Sequence, residues 1–174
     1  MSLPTAVQHA FDRARQAASA PVVWLHLGAD TLWLARDGGD SGAAFLSLDL
    51  GTDSTARLFF RSELPRPQEL ERAIDHVEDE LMRAVAWSGE ITTLATEHPL
   101  VRGLAHNSAV LQRDSVEASF QRLASGALGD PSALKGLPTG REAAATLLIL
   151  RELMHHLGFN QVAVAPPSPD AALP

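Results

Sequence analysis

The sequence predicts an α+β fold from three features: two successive pairs of β-rich runs, a long amphipathic helix after them, and a nearly all-apolar helix near the C-terminal end. Their order describes a four-stranded antiparallel meander packed against amphipathic helices, with a short C-terminal strand. The scale is right for one domain, expected over residues 1–165. A chain of 174 residues that is 45% hydrophobic and 20% charged has the composition of a protein with a packed core.

The first element is a helix over residues 5–19. Val7, Ala10, Phe11, Ala14 and Ala18 recur at helical spacing, Thr5 with Gln8 reads as a capping box, and Pro21 ends the helix. Val22–Leu27 and Thr31–Arg36, joined by Gly28, Ala29 and Asp30, read as the first hairpin. After the Gly- and Asp-rich loop 37–42, the run AAFLSLDLGTDSTARLFFRS reads as a second hairpin. Leu46, Leu48 and Leu50 fall on one face of it, and Ser47 and Asp49 on the other. Both hairpins carry Leu-x-Leu-Gly-x-Asp, so one turn chemistry is expected to serve both.

Apolar side chains occur on both faces of this sheet. Val22, Trp24 and His26 alternate with Val23, Leu25 and Leu27, and Trp33 opposes Leu32 and Leu34. A sheet apolar on both faces has to be covered on both, by the N-terminal helix or by a second subunit.

Pro67 opens the clearest helix. Leu70, Ala73, Ile74, Val77, Leu81, Ala84 and Val85 make one face, and Glu69, Glu71, Arg72, Asp75, His76, Glu78, Asp79, Glu80 and Arg83 the other. The run ITTLAT reads as a short strand, Pro99 as the start of a helical turn, and Gly103 as an interruption. Asp114 with Glu117 marks an N-cap, and Val116, Phe120 and Leu123 line a helix ending before Gly126. A Gly- and Pro-rich loop spans 126–140. Thr139 with Glu142 then caps a last helix, apolar nearly all round over 143–150, with Gly158 as its stop. FNQVAVA is a short strand, and the Pro-rich tail 166–174 is expected to be disordered.

Charge and composition exclude several function classes. A formal charge of −7 and a pI of about 5.4 repel nucleic-acid backbones, and the arginines never form a basic run. With no cysteine, thiolate catalysis and Cys-ligated zinc are excluded. No run has the length of a membrane span or the pattern of a signal peptide, so a cytoplasmic protein without membrane association is expected.

Asp49-Leu50-Gly51-Thr52 resembles the first phosphate-binding hairpin of the actin, Hsp70 and sugar-kinase superfamily. That resemblance implies backbone N–H groups of the turn on nucleotide phosphates and Asp49 helping to place a metal ion, with Gly51 and Thr52 completing the turn. The alternative is a plain hairpin that uses Gly and Asp for their tolerance of left-handed backbone.

Other constellations have structural readings. Glu152 and His155 have the Glu-x-x-His spacing of di-iron bundles, but the motif occurs once, and imidazoles before Gly158 suit a helix C-terminus. The acidic face around His76 reads as solvated surface or a partner surface. His106, Asn107 and Ser108 have side chains that diverge on a regular backbone, and Lys135, the sole lysine, lacks a P-loop frame.

The expectation drawn from these features is a non-enzymatic protein-binding or chaperone-like module, homodimeric or partnered by another protein through Trp24, His26 and Trp33. No cofactor, metal ligand or catalytic residue is assigned. In element order and acidity it is similar in broad outline to the type III secretion chaperones. The alternative is a small nucleotide- or phosphate-binding domain using Asp49, Gly51 and Thr52.

Overall fold

Six strands share one mixed sheet in the computed structural model, which describes residues 4–18, 20–38, 42–106 and 108–166. They are β1 (Val23–Leu27), β2 (Leu32–Asp37), β3 (Ala43–Leu48), β4 (Thr93–Thr96), β5 (Val110–Gln112) and β6 (Gln161–Val164), in the order β3-β2-β1-β4-β6-β5. The first three form an antiparallel meander in which Leu25 faces Leu34 and Leu34 faces Leu46. β1 pairs parallel with β4, and β4 parallel with β6, Leu94 lying between Val23 and Val162. β5 closes the edge antiparallel to β6.

The predicted four-stranded antiparallel meander is therefore incorrect: its fourth strand is a helix, α2 (Thr52–Phe59). The period-2 pattern of β3 stops at Leu50. Beyond it the buried positions are Thr52, Thr55, Ala56 and Phe60, spaced three and four apart as on a helix face. The sheet grows on the other side of β1 instead. Parallel neighbours require crossover connections, supplied here by helices.

Those helices are α3 (Pro67–Leu81), α4 (Pro99–Leu104), α5 (Arg113–Ala127) and α6 (Arg141–His156). Pro67 stands at the start of α3, as its fixed φ favours. α6 begins after Gly140 at φ +102° and ends before Gly158 at φ +76°, so both boundaries use backbone that only glycine adopts without strain. The expected Thr139 cap is replaced by Gly140. Thr146, the one hydroxyl in the apolar stretch, donates to the Glu142 carbonyl (2.8 Å) and so enters the core satisfied.

The main core lies between one sheet face and α2, α3, α5 and α6. Val23, Leu25, Leu27, Leu32, Leu34 and Leu94 meet Leu147, Leu148, Ile149, Leu150 and Leu153 of α6, all buried. The other face is covered over β1 and β2 by α1 (Thr5–Ala17), where Ala10 and Phe11 pack on Trp24, Ala35 and Ala95. Phe11 meets Phe45 edge-on at 5.6 Å. α1 starts after Pro4 without a side-chain cap, so the Thr5–Gln8 box does not form. Residues 39–41 of the predicted loop, Asn107 and the tail 167–174 lie outside the described residues. Among the described residues no helix is long and apolar enough to cross a membrane.

α2 is fastened to the β1–β2 turn. Thr52 N–H donates to the Gly28 carbonyl (3.0 Å), and the N–H groups of Asp53 (3.0 Å) and Ser54 (2.9 Å) share the Ala29 carbonyl. A Cβ on Gly51 would stand 2.1 Å from that carbonyl oxygen and 2.4 Å from Asp30 Cα, so Gly51 permits a backbone approach no other residue allows. Gly51→Ala is expected to lower stability by about 1–3 kcal/mol or more, since rigid backbone has to move. Asp49→Asn, at an exposed side chain, should change it by less than about 0.5 kcal/mol. Urea midpoints of the two variants check this, and equal effects would refute the close-packed turn.

Candidate functional site

β1 and β4 are adjacent and parallel, yet the chain leaves them in opposite directions: from β1 toward β2, and from β4 toward the β5 edge. Such a divergence opens a crevice at the carboxyl ends of the strands, the usual ligand position in open α/β sheets. Here it holds a cleft of about 280 Å³, lined by Ala10 of α1, Trp24 and His26 of β1, and Thr96, Glu97 and His98 at the end of β4. A larger hollow of about 520 Å³ lies beneath the other end of α1, among Phe11, Pro21, Val22 and Ile91. Its charged lining, Arg15 and Asp37, is already paired at 3.0 Å.

The cleft sets a few polar groups in a mostly apolar lining. Burial lowers the His26 pKa, opposed by the charge of Glu97. Burial lowers that of His98 further, to about 4, and the neighbouring His26 adds to the effect. Both imidazoles are therefore uncharged at neutral pH. Glu97 is engaged by Arg13 of α1 (3.2 Å). His98 N–H donates to Thr96 Oγ1 (3.2 Å), orienting the ring's segment against β4.

Two buried nitrogens on this lining have no partner among the described residues: Trp24 Nε1 and His98 Nδ1. Next to it, Arg102 donates through Nη2 to the carbonyls of Glu97 and Ala165 (both 3.0 Å), and its buried Nε is likewise unpartnered. An unmet buried donor is costly, and an acceptor entering the cleft would satisfy it.

The Asp49 turn lies in a different setting from the one predicted. It links a strand to a helix and is not a hairpin. Asp49 points to solvent, its side chain 84% exposed, with Arg83 at 3.8 Å. The N–H groups of Thr52, Asp53 and Ser54 are spent on Gly28 and Ala29, and that of Gly51 on Ser54 Oγ (3.2 Å). Arg57 ties the same region together by contacting both Asp30 (2.9 Å) and Asp53. The hairpin of this region is the β1–β2 turn, where Gly28 N–H donates to the Thr31 carbonyl (3.1 Å), while Gly51 serves close packing.

Of the residues expected at an interface, Trp24 is buried under α1, His26 faces the cleft, and Trp33, largely buried, stands opposite His26 in register. His76 packs on Phe59 (5.1 Å). Ser108 Oγ bonds its own loop at the Val110 carbonyl (2.7 Å), and His106 adopts φ +46°. Lys135 lends its carbonyl to Arg122. Glu152 and His155 are not brought together. His155 turns toward Glu117 and Arg151, while Glu152 meets His156 (3.5 Å), and His156 meets Glu78 of α3 (3.3 Å). The Glu-x-x-x-His spacing of 152 and 156 was visible in the sequence, whereas the share of Glu78 was not. His98 and Thr96 carried no motif at all, and only their place at a strand end marks them.

No protein-family model and no curated protein sequence matches this chain. Solved structures do. A Ppx/GppA family member from Aquifex aeolicus superposes with a TM-score of 0.74 over 95% of this chain and 59% of its own, at 14% identity. The Aquifex aeolicus PPX-GPPA enzyme superposes with a TM-score of 0.65 at 15% identity, over 86% of this chain and 54% of its own. An exopolyphosphatase from Cytophaga hutchinsonii gives 0.63 at 13% identity, over 90% and 57%. The chain thus has the fold of these proteins and spans a little over half their length. The chaperone-like protein-binding reading rested on a four-stranded antiparallel sheet apolar on both faces; the sheet is mixed, as in these phosphatases, and α1 covers its second face over β1 and β2, so that reading falls.

The two lowered histidines set a pH dependence. As pH falls below 6.5 the unfolded chain binds protons that folded His98 refuses until about 4, so stability is full above 6.5 and declines through that window. Melting temperature measured from pH 7.5 to 4.5 should fall more steeply in the native protein than in His98→Gln. Parallel curves would contradict a buried neutral His98.

Proposed function

We propose that this chain is a phosphate-binding lobe of the Ppx/GppA type, holding phosphate oxygens in the cleft at the carboxyl ends of β1 and β4. The observation that carries the reading is the placement of unpartnered buried nitrogens, Trp24 Nε1 and His98 Nδ1, at the strand divergence of a fold shared with Ppx/GppA phosphatases. Neutral donors suit an anion in an acidic protein, because they hold oxygen without a competing carboxylate: Glu97, the one acid on the lining, is engaged by Arg13.

The matched phosphatases are nearly twice as long, which supports a two-lobed arrangement in which this chain supplies one wall of the cleft and further protein the other. Binding is then a property of this lobe, and hydrolysis a property of the completed cleft. The Asp49 turn does not contribute in this reading, since its amides are already bonded.

Titration with inorganic phosphate, pyrophosphate and tripolyphosphate, with and without magnesium, tests it by thermal shift. A ligand at a hundred times its dissociation constant adds about 2.7 kcal/mol of stability. The rise is expected with tripolyphosphate, and it should shrink in His26→Gln and His98→Gln but not in Asp49→Asn. No shift at millimolar ligand, or a shift lost only in Asp49→Asn, would overturn the proposal.

A further inference from the structure

Where α3 and α6 end, on the side from which β6 begins, three side chains converge on one point. Glu78 lies in the last turn of α3, His156 is the last residue of α6, and Glu152 precedes it by one turn. Their ligand atoms all lie within 4.8 Å of one another. His156 Nε2 is 3.3 Å from Glu78 Oε1 and 3.5 Å from Glu152 Oε2.

These separations are long for charge-assisted hydrogen bonds, which run at about 2.7–2.9 Å. They match the edge of a coordination tetrahedron: ligands at about 2.0–2.1 Å from a zinc ion stand about 3.3–3.4 Å apart. Glu152 is 1% exposed, and Arg151 takes only its Oε1, so Oε2 is presented to the other two groups in a desolvated place. Arg151 is shared between Glu152 and Glu117 (2.7 Å), so one cation faces the three carboxylates of Glu78, Glu117 and Glu152. Both glutamates also stand near helix C-termini, where the backbone dipole disfavours an anion and favours a cation; α3 carries no basic residue in its last turn. Glu78 and His156 are partly open to solvent, which gives an ion a way in and a fourth position for water.

We propose that Glu78, Glu152 and His156 form a binding site for a zinc-class divalent cation that clamps the end of α3 to the end of α6. The site lies away from the phosphate-binding cleft and is independent of it. One nitrogen and two carboxylate oxygens suit zinc, with cobalt as its spectroscopic substitute.

Calorimetric titration of the purified chain with Zn²⁺, and absorption of the Co²⁺ form, test the site. One ion per chain and the intense visible bands of four-coordinate Co²⁺ are expected. Affinity should fall at least about a hundredfold in His156→Gln and in Glu78→Gln, since losing a direct ligand exceeds the ten- to hundredfold loss seen for groups that only orient one. His155→Gln should retain it. Glu152→Gln is less informative because that buried carboxylate also holds Arg151. Absence of stoichiometric Zn²⁺ binding would overturn the proposal, as would equal loss in His155→Gln and His156→Gln, which would place the ion on the adjacent histidine pair.

Discussion

The burial of α6 on every side is the constraint from which most of the architecture follows. Residues 143–150 are all buried, including Leu147, Leu148, Ile149 and Leu150. Each large aliphatic side chain taken out of water contributes about 1.5–3 kcal/mol, so a helix of this composition is stable only where no face meets solvent. The sheet can cover one side. α2, α3, α4 and α5 cover the rest, and their arrangement around α6 leaves the crossovers that make β4 and β6 parallel to β1.

A second constraint is local and settles what the Gly-x-Asp turns do. Because α2 has to start directly beneath the β1–β2 turn, its first amides find the carbonyls of Gly28 and Ala29 before they find any ligand. The orphan donors of a helix N-terminus are commonly what binds phosphate. Here they are internal mortar, and Gly51 is required because Ala29 passes too close for a Cβ. The same Leu-x-Leu-Gly-x-Asp pattern thus has two different uses: a hairpin at Gly28 and a strand-to-helix junction at Gly51.

The two ends of the parallel strands differ in electrostatic character. At the carboxyl end burial strips His26 and His98 of charge and leaves a neutral, donor-bearing cleft. At the amino end two helix C-termini bring carboxylates together around a single imidazole. The first is the environment proposed above for oxyanions, and the second the one proposed for a cation. Both arise from topology, since parallel strands with returning helices gather strand ends on one side and helix ends on the other.

Elements with a strong internal period were legible from the sequence: α1, the β1–β2 hairpin, β3, α3, α5, α6 and β6 follow from spacing, proline and glycine. The stop of α6 at Gly158 follows from residue type, whereas its opening falls at Gly140 and not at the expected Thr139 cap. α2 was misread because Leu46, Leu48 and Leu50 project a period of two into residues whose burial repeats every three to four. β5, with three residues, is too short to have a period at all. Parallel pairing, the cover that α1 provides for Trp24, the meeting of His26 with His98, and the approach of Glu78 to His156 across 78 positions depend on contacts remote in sequence. The sequence by itself determined which segments bury and, α2 and β5 apart, which coil and which extend. Only the tertiary structure decided strand order and side-chain company, because the energy of those choices resides in packing between segments and not within any one of them.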